Sequence, residues 1–423
     1  MKKKHHRMLC AFCALVILVS TVFPTAAFAE QPVDAAAAEQ TLTRADAAGM
    51  QQADAAVTAL TESEQYQEMD TDARKDAALA QLDTLAAEGL VEKGSIYTDE
   101  ENGMVSFRYP CGVLGGILLT EPEDETLDEE NAETETASNA LSLRLPPDLG
   151  AEMQKSQAAL LRRTENQAVE KFGTAVIYYA FDNTINSSRF PYYSYMQGFW
   201  SALGLETKIN IHVTVADLKK MGSYNVSVLS AHGSYYTYSY GKFLKRTRTE
   251  PIMLLTEEST FGKDLRYGFD LLAHRVIKVN GMYCVTSDFF RNAYKGGKLS
   301  NTIVYSETCE FLGVDGSEDN AMADALLSGG ARAVIGYVNN VYTVYSRSML
   351  WDTINHLIMG QNVGQALEHA KATYGEDDLI WYHAQGGRRP HAAASYAVLY
   401  GNSQAALHVP ESNRSMFSAD LAA

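Results

Sequence analysis

Apolar runs alternate with helical patterns along the chain from about residue 171 onward. A short, continuous apolar run predicts a strand that is covered on both faces, since it leaves no polar side for solvent. The predicted strands are 175–180, 208–214, 225–230, 302–306 and 331–336. Apolar residues spaced three and four apart predict the helices 192–203, 216–221, 320–327, 343–359 and 363–373. This order is typical of an α/β fold, in which helices cover both faces of a mainly parallel sheet.

The N-terminal part of the chain has a different pattern. Residues 30–90 are rich in alanine, and leucines recur at helical spacing within a predicted helix over 72–87. Apolar stretches at 95–97 and 104–109 predict a hairpin, and a further strand is expected at 111–119. This part therefore reads as a small α+β segment that precedes the α/β region.

Charge is concentrated in that N-terminal part. The formal charge of the 423-residue chain is −17, yet residues 138–423 contain 26 acidic and 26 basic residues. Residues 30–137 contain 26 acidic residues against five basic ones, and 121–137 alone hold nine acidic residues and no basic one. Such an acidic stretch predicts a solvated linker. The overall balance argues against a general binder of nucleic acid or of anionic membranes.

The first 29 residues are typical of a Sec-type secretory signal of bacterial style. Four basic residues precede an apolar stretch at 8–23, and Ala27-Phe28-Ala29 resembles a cleavage site for signal peptidase. The alternative is an uncleaved anchor, although the apolar stretch is short for a membrane span. No later run approaches that length, so we expect a secreted or surface protein without a stable span after signal removal.

These patterns divide the chain into five predicted segments. They are a signal peptide (1–29), an acidic pro-region (30–120), a linker and connector (121–170), an α/β domain (171–410) and a C-terminal tail (411–423).

Three cysteines follow the signal, namely Cys111, Cys284 and Cys309. An odd number outside the cell suggests a reactive thiol or an intermolecular pair. Whether Cys111 pairs with Cys284 is left open by the sequence. These three cysteines form no C-x-x-C pair, so they predict no zinc site, and we assign no metal ligands.

Two predicted strands end in residues with nucleophilic or proton-transfer chemistry. His232 and Gly233 follow the strand at 225–230, and Cys309 follows the strand at 302–306. Reactive groups in open α/β sheets lie at the carboxyl ends of strands, so we expect a Cys309–His232 catalytic pair. The backbone N–H groups of Gly233 and Cys309 are the candidates for an oxyanion hole, because glycine lets the backbone approach a ligand closely.

The chain resembles the caspase, gingipain and clostripain superfamily of cysteine peptidases, nearest to its gingipain-like and clostripain-like bacterial members. The resemblance rests on Ser-Ala-His-Gly-Ser at 230–234, Glu-Thr-Cys-Glu at 307–310 and the strand within 328–336. A closing motif at 397–403 is also similar, although it has Asn-Ser where the family has Asp-Pro. The similar region covers roughly residues 171–409.

The resemblance implies a secreted cysteine endopeptidase, made as a zymogen, that acts on protein or peptide substrates. It also implies that Glu307 lines the specificity pocket, which predicts cleavage after Arg or Lys. Two alternatives are a catalytically silent caspase-like module that binds a partner and a thiol-dependent transpeptidase. No cofactor is required by this chemistry.

Basic residues just past the acidic stretch at 121–137 and between the two site strands are candidate sites of self-processing. They are Arg144, Lys155, Arg162, Arg163, Lys245, Arg246 and Arg248, the last three in an expected loop at 242–248. The acidic pro-region is a candidate inhibitor that would bind this basic loop.

Two further features of the α/β region stay open. The acidic residues Glu310, Asp315, Glu318 and Asp319 would suit calcium, although their spacing matches no EF-hand. Candidates for the group that orients His232 are Asp182, Asn183 and Glu206, and the sequence does not choose among them.

Overall fold

Two large β-sheets, a two-stranded ribbon of Gly313–Val314 and Ser317–Glu318, and eleven α-helices make up most of the described part of the chain. The computed structural model describes residues 41–119, 153, 155, 169–181, 191–241, 245–379 and 394–417, and residues from Thr41 to Ala423 form one compact unit. The helices are α1 Arg44–Thr61, α2 Glu64–Gln67, α3 Thr71–Ala87, α4 Pro191–Ala202, α5 Val215–Leu218, α6 Phe261–Leu272, α7 Ser287–Ala293, α8 Ala321–Ser328, α9 Thr343–Ile358, α10 Val363–Tyr374 and α11 Glu411–Phe417. The strands are β1 Tyr97–Asp99, β2 Met104–Arg108, β3 Leu114–Leu118, β4 Gly173–Ala180, β5 Leu205–Asn210, β6 Val226–Ala231, β7 Gly233–Tyr240, β8 Arg246–Glu258, β9 Val276–Val279, β10 Met282–Thr286, β11 Ile303–Ser306, β12 Gly313–Val314, β13 Ser317–Glu318, β14 Ala333–Val338 and β15 Tyr396–Gly401.

The first sheet contains the strands that the apolar runs predict. Its order is β15-β14-β11-β6-β4-β5, and every pairing is parallel except that between β14 and β15. The predicted mixed α/β class and the mainly parallel sheet are therefore confirmed for this part of the chain. The predicted strand at 208–214 begins and ends earlier, as β5, because only its first part continues the pairing with β4.

Both faces of this sheet are covered, and the side chains of β4 show how. Ala175, Ile177 and Tyr179 pack with α4, α9 and α10 on one face. Val176 and Tyr178 point to the other face, where α7, α8 and part of the second sheet cover them. Successive side chains of a strand alternate between faces, so a strand buried on both sides must be apolar throughout.

The second sheet joins the N-terminal part of the chain to the α/β region. Its order is β1-β2-β3-β9-β10-β8-β7, and only the pairing of β3 with β9 is parallel. The hairpin expected at 95–109 is present as β1 and β2, and the strand expected at 111–119 is present as β3. Strands β8, β9 and β10 and helix α6 have no counterpart in the prediction. The segment expected to be a pro-region thus supplies three strands of a sheet that continues into residues 233–286.

A buried ionic cluster also connects the two parts. The Lys278 Nζ atom lies 2.5 Å from Asp54 Oδ2 and 2.8 Å from Asp264 Oδ2, and Lys278 is 1% exposed. The hydroxyl of Tyr283 donates to Asp264, and that of Tyr109 donates to Asp54. Asp54 belongs to α1. A carboxylate of the N-terminal segment therefore forms an ion pair with the Lys278 ammonium group, which is buried under the second sheet.

The basic segment near residue 245 differs from the loop that the sequence predicts. Arg246 and Arg248 lie in β8, where they pair with Tyr240 and Tyr238 of β7. Arg248 also contacts the carboxylates of Glu250 and Asp288, at 3.5 and 3.3 Å. The alternating tyrosines opposite form one strand of a long hairpin, so cross-strand pairing holds these arginines in an extended ladder.

Of the other candidate processing sites, only Lys245 and Lys155 are among the described residues. Lys245 precedes β8, and its ammonium group donates to the backbone carbonyl of Gly94 at 2.6 Å. Lys155 is described and exposed, whereas Arg144, Arg162 and Arg163 lie outside the described residues, as do the signal peptide and the acidic stretch at 121–137. Within the described ranges, no helix has the length and apolar character that crossing a membrane requires.

Candidate functional site

Neighbouring parallel strands bring the predicted pair of residues to one edge of the first sheet. Strands β6 and β11 are paired in register, with Leu229 opposite Ser306. The pairing continues one step further, because the Glu307 N–H donates to the Leu229 carbonyl at 2.7 Å. His232 follows β6 directly, and Cys309 follows β11 after two residues. Both side chains line one small cleft, and its other lining residues are Phe181, Tyr193, Ser230, Glu307, Val341, Thr343 and Ser346.

Gly233 is required by the close approach of the two strand ends. A Cβ atom at this position would lie 2.1 Å from the Cys309 carbonyl oxygen and 2.4 Å from Cγ2 of Thr308. Both distances are far below van der Waals contact, so a larger residue would push the Cys309 turn away. The absence of a side chain at 233 therefore sets the distance between the His232 and Cys309 segments.

The register of β7 also sets the direction of the Gly233 amide. The Leu254 N–H donates to the His232 carbonyl, so His232 and Leu254 form a hydrogen-bonded pair, and Gly233 and Met253 form the next, non-hydrogen-bonded one. In such a pair the N–H groups point away from the partner strand. The Gly233 N–H consequently points away from β8, toward the open edge of the second sheet, where β7 is the last strand.

Local contacts hold the two reactive side chains. The ring of Phe181, directly after β4, packs edge-on against the His232 imidazole, with the centroids 4.6 Å apart and an interplanar angle of 85°. The Cys309 Sγ atom lies 3.8 Å from the Val341 carbonyl oxygen. Both His232 and Cys309 are partly exposed, which leaves them accessible to a molecule that enters the cleft.

Glu307 lies at the base of this cleft and is 4% exposed. Its carboxylate accepts from the Tyr193 hydroxyl at 2.9 Å and faces the Ser346 hydroxyl at 3.5 Å. Burial raises the pKa of Glu307, whereas the positive charge of Arg347 and the neighbouring hydroxyls act in the opposite direction. The site thus contains a carboxylate that is shielded from solvent and surrounded by donors.

Arg347 supplies the positive charge next to this carboxylate. It is 3% exposed, and its guanidinium group stacks on the rings of Tyr192 and Tyr193, 5.0 and 5.3 Å from their centroids. Stacking on aromatic faces is a favourable environment for a guanidinium ion. Tyr193 therefore contacts both Arg347 and Glu307, which fixes the position of the buried acid.

The acidic side chains after Cys309, which were candidate calcium ligands, do not converge on a single point. Asp319 accepts from the Tyr235 hydroxyl, and Glu318 accepts from the Tyr400 hydroxyl, at 3.0 and 2.6 Å. Glu310 is mostly buried; desolvation, followed by the charge of Asp315, raises its pKa to about 7, although the Tyr235 N–H donates to it. The candidate calcium ligands thus each contact a different neighbouring group and do not converge on one point.

None of the three described cysteines forms a disulfide. Cys284 is fully buried in the second sheet, and burial raises the pKa of its thiol. Cys111 is half-buried, and burial raises the pKa of its thiol as well. A thiol that is kept protonated and covered is a poor nucleophile, so chemistry at a cysteine points to Cys309.

Of the three candidates for orienting His232, the structure describes Glu206, which lies away from the site. Glu206 is the second residue of β5, so it lies near the amino end of the sheet, and it is paired with Lys171 at 3.5 Å. The site is at the opposite, carboxyl edge. Asp182 and Asn183 lie outside the described residues.

The sequence did not single out several residues that shape the cleft. Phe181 directly follows the first predicted strand, Tyr193 lies in a predicted helix, and Ser346 lies in the first turn of another. Their positions relative to the carboxyl edge of the sheet are the only signal in the sequence that could have indicated them. The chain matches no known family model, and no curated protein is similar to it in sequence.

Proposed function

We propose that this protein is a secreted cysteine endopeptidase in which Cys309 is the nucleophile and His232 the general base. One observation carries the proposal: His232 and Cys309 end adjacent parallel strands and line the same cleft, with Gly233 against the Cys309 backbone. A thiol and an imidazole at one sheet edge are the groups that covalent acyl transfer requires. The caspase-like resemblance and the secretory signal are part of this proposal.

The chemistry follows from these positions. His232 takes the proton of Cys309, and the thiolate attacks the carbonyl carbon of the substrate to form a tetrahedral oxyanion. The oxyanion is the species that the N–H groups of Gly233 and Cys309 would stabilise. His232 returns the proton to the leaving amine as the thioester forms, and a water molecule, deprotonated by His232, then hydrolyses the thioester.

Glu307 is our candidate for recognition of a basic side chain. A shielded carboxylate next to the nucleophile favours a cationic substrate group, since charge-assisted bonds are strong where water is excluded. Arg347 already provides a positive charge nearby, so a substrate Arg or Lys would share this carboxylate. We therefore expect a preference for basic residues.

The nucleophile is tested with a thiol-directed covalent reagent that carries an Arg side chain. Intact mass and peptide mapping should show one adduct on Cys309 in the purified chain, none in Cys309→Ala, and an unchanged adduct in the matched control Cys111→Ala. N-terminal sequencing after storage should reveal cuts after Arg or Lys only where Cys309 is present. A folded chain that is neither labelled at Cys309 nor cut, even after proteolytic cleavage within residues 121–150, would refute the peptidase.

The specificity is tested separately. In Glu307→Gln we expect kcat/KM for Arg substrates to fall by about 10-fold or more, since the charge of the carboxylate is lost. Turnover of a substrate with a neutral side chain should change much less. Glu318→Gln, at an exposed acid outside the cleft, is the control. Equal losses on basic and neutral substrates would remove Glu307 from recognition and leave the nucleophile assignment standing.

A further inference from the structure

Helices α9 and α10 place three metal-ligating side chains together, away from the cleft. Asp352 and His356 are four residues apart on α9, and so lie on one face of that helix. His369 comes from α10, which follows α9 after a connection of four residues. One carboxylate oxygen and one nitrogen from each ring all lie within 4.8 Å of one another.

The distances between the donor atoms suit a shared metal ion. Nδ1 of His369 lies 2.7 Å from Asp352 Oδ2, and Nε2 of His356 lies 3.6 Å from Asp352 Oδ1. Ligands at about 2.1 Å from a tetrahedral zinc ion are about 3.4 Å apart, so small side-chain movements would bring all three into coordination. The two imidazole rings are stacked, with their centroids 3.7 Å apart and their planes tilted by 35°, so binding of one ion would turn the rings apart.

The surroundings of His356 resemble those of a metal ligand held by an outer partner. His356 is 7% exposed, and Gln361 is held beside it, because the Gln361 N–H donates to the His356 carbonyl at 3.0 Å. Nδ1 of His356 and Oε1 of Gln361 are both buried and have no hydrogen-bond partner of good geometry among the described residues. An Nδ1–H donated to Gln361 would fix the tautomer that leaves Nε2 available for a metal.

The opposite side of the cluster is open to solvent. The His369 side chain is 47% exposed, whereas that of Asp352 is 10% exposed. A metal ion could therefore enter past His369 and keep a coordination position for water. Two imidazole nitrogens and one carboxylate are a donor set that suits zinc, whereas calcium and magnesium prefer oxygen ligands alone.

We infer that Asp352, His356 and His369 form a binding site for a divalent transition-metal ion, and that zinc is the ion it principally binds. The ion would connect α9 to α10. Because the first turn of α9 supplies Thr343 and Ser346 to the cleft, the ion would also stabilise the helix that bounds it. The cysteine spacing gave no sign of this site; its only signal in the sequence is the Asp-x-x-x-His spacing within a helix.

The test measures metal binding to the full chain after treatment with a chelator. Every variant carries Cys309→Ala, which keeps the cleft thiol from binding the metal. Isothermal titration with Zn²⁺ should give one equivalent for this parent, and Co²⁺ should give visible absorption bands. His369→Ala should weaken Zn²⁺ binding by about 10- to 100-fold or more, since even outer partners of metal ligands contribute that much. His408→Ala, at an exposed histidine elsewhere, should bind as the parent does.

Asp352→Asn and thermal unfolding provide an independent check. Zn²⁺ should raise the unfolding temperature of the parent and of His408→Ala, because an ion that binds only the folded state stabilises it. The increase should be absent in His369→Ala and reduced in Asp352→Asn. Stoichiometric binding that is equally strong in parent and His369→Ala, or no stoichiometric binding in the parent, would overturn the assignment.

Discussion

Replacement of Lys278 by Met tests whether the N-terminal segment is part of the folded protein or a detachable pro-region. In the native chain one ammonium group, 1% exposed, forms ion pairs with two carboxylates at 2.5 and 2.8 Å. Met fills a similar volume but leaves Asp54 and Asp264 as neighbouring like charges. Their side chains are only 9% and 0% exposed, so solvent can do little to screen them.

The expected loss is about 3–5 kcal/mol in the free energy of unfolding, since removal of one partner leaves an uncompensated buried charge. The hydroxyls of Tyr109 and Tyr283, which donate to these carboxylates, limit the loss to this range. Urea denaturation followed by tryptophan fluorescence measures it through the transition midpoint. Lys220→Met is the matched control: its ion pair with Asp217 is 2.9 Å long, but the lysine side chain is 65% exposed. An exposed pair contributes about 1 kcal/mol or less.

The Lys278 cluster also leads to a prediction for the chain after it is cleaved within residues 121–150. Because β3 pairs with β9 and Asp54 contacts Lys278, the N-terminal fragment should stay bound to the remainder in size-exclusion chromatography. In Lys278→Met the two fragments should separate more easily. Separation of the fragments of the wild-type chain, or equal stability of Lys278→Met and Lys220→Met, would show that the cluster does not join the two parts.

Three further outcomes follow from the site. Gly233→Ala should lower kcat by about 100- to 1,000-fold through the displaced Cys309 turn and oxyanion donor, and should cost about 1–3 kcal/mol of stability, measured by kinetics and urea unfolding. For Glu310, the ordinary pKa of 4.5 rises to about 7 in the folded state, so stability falls as the pH rises through that interval. Glu310→Gln should therefore match the wild type below pH 4.5 and be more stable by up to about 3 kcal/mol above pH 7, in urea titrations across this range. Brief alkylation of the native chain at pH 8 should modify Cys309 and leave Cys111 and Cys284 unmodified in peptide mass maps.

Each of these outcomes has its own control. Gly262→Ala adds a methyl group in open space on α6, and full activity is expected there. An active Gly233→Ala enzyme would mean that the close approach to Cys309 has no catalytic role. A stability gain in Glu310→Gln that is constant from pH 4 to 8 would contradict the burial of its charge. Modification of Cys284 before unfolding would contradict its enclosure in the second sheet.

Local patterns were sufficient for the first sheet and for the two reactive residues. Strands β4, β6, β11 and β14 are mainly apolar because helices or the second sheet cover both of their faces, and such apolar runs can be recognised in the sequence. Parallel pairing then makes neighbouring carboxyl ends meet, so the cleft residues His232 and Cys309 followed from strand order alone.

In the second sheet only β1 to β3 followed from such patterns. Strands β8 and β9 mix charged and apolar residues, and β9 contains Lys278, whose burial is stabilised by carboxylates distant in the sequence. The segment around Arg246 and Arg248 was predicted as a loop because it is rich in charged residues. Its cross-strand partners, which are distant in the sequence, decide that it is extended.

The amino-acid sequence by itself therefore determined the α/β order, the uneven charge and the chemistry at two strand ends. Each of these depends on residues that are close together along the chain. Only the tertiary structure decided that β3 pairs with β9, that Asp54 neutralises Lys278, and that Asp352, His356 and His369 meet across two helices. These contacts arise from packing between distant segments. The pattern of apolar residues within one segment shows that it will be covered, but not which other segment will cover it.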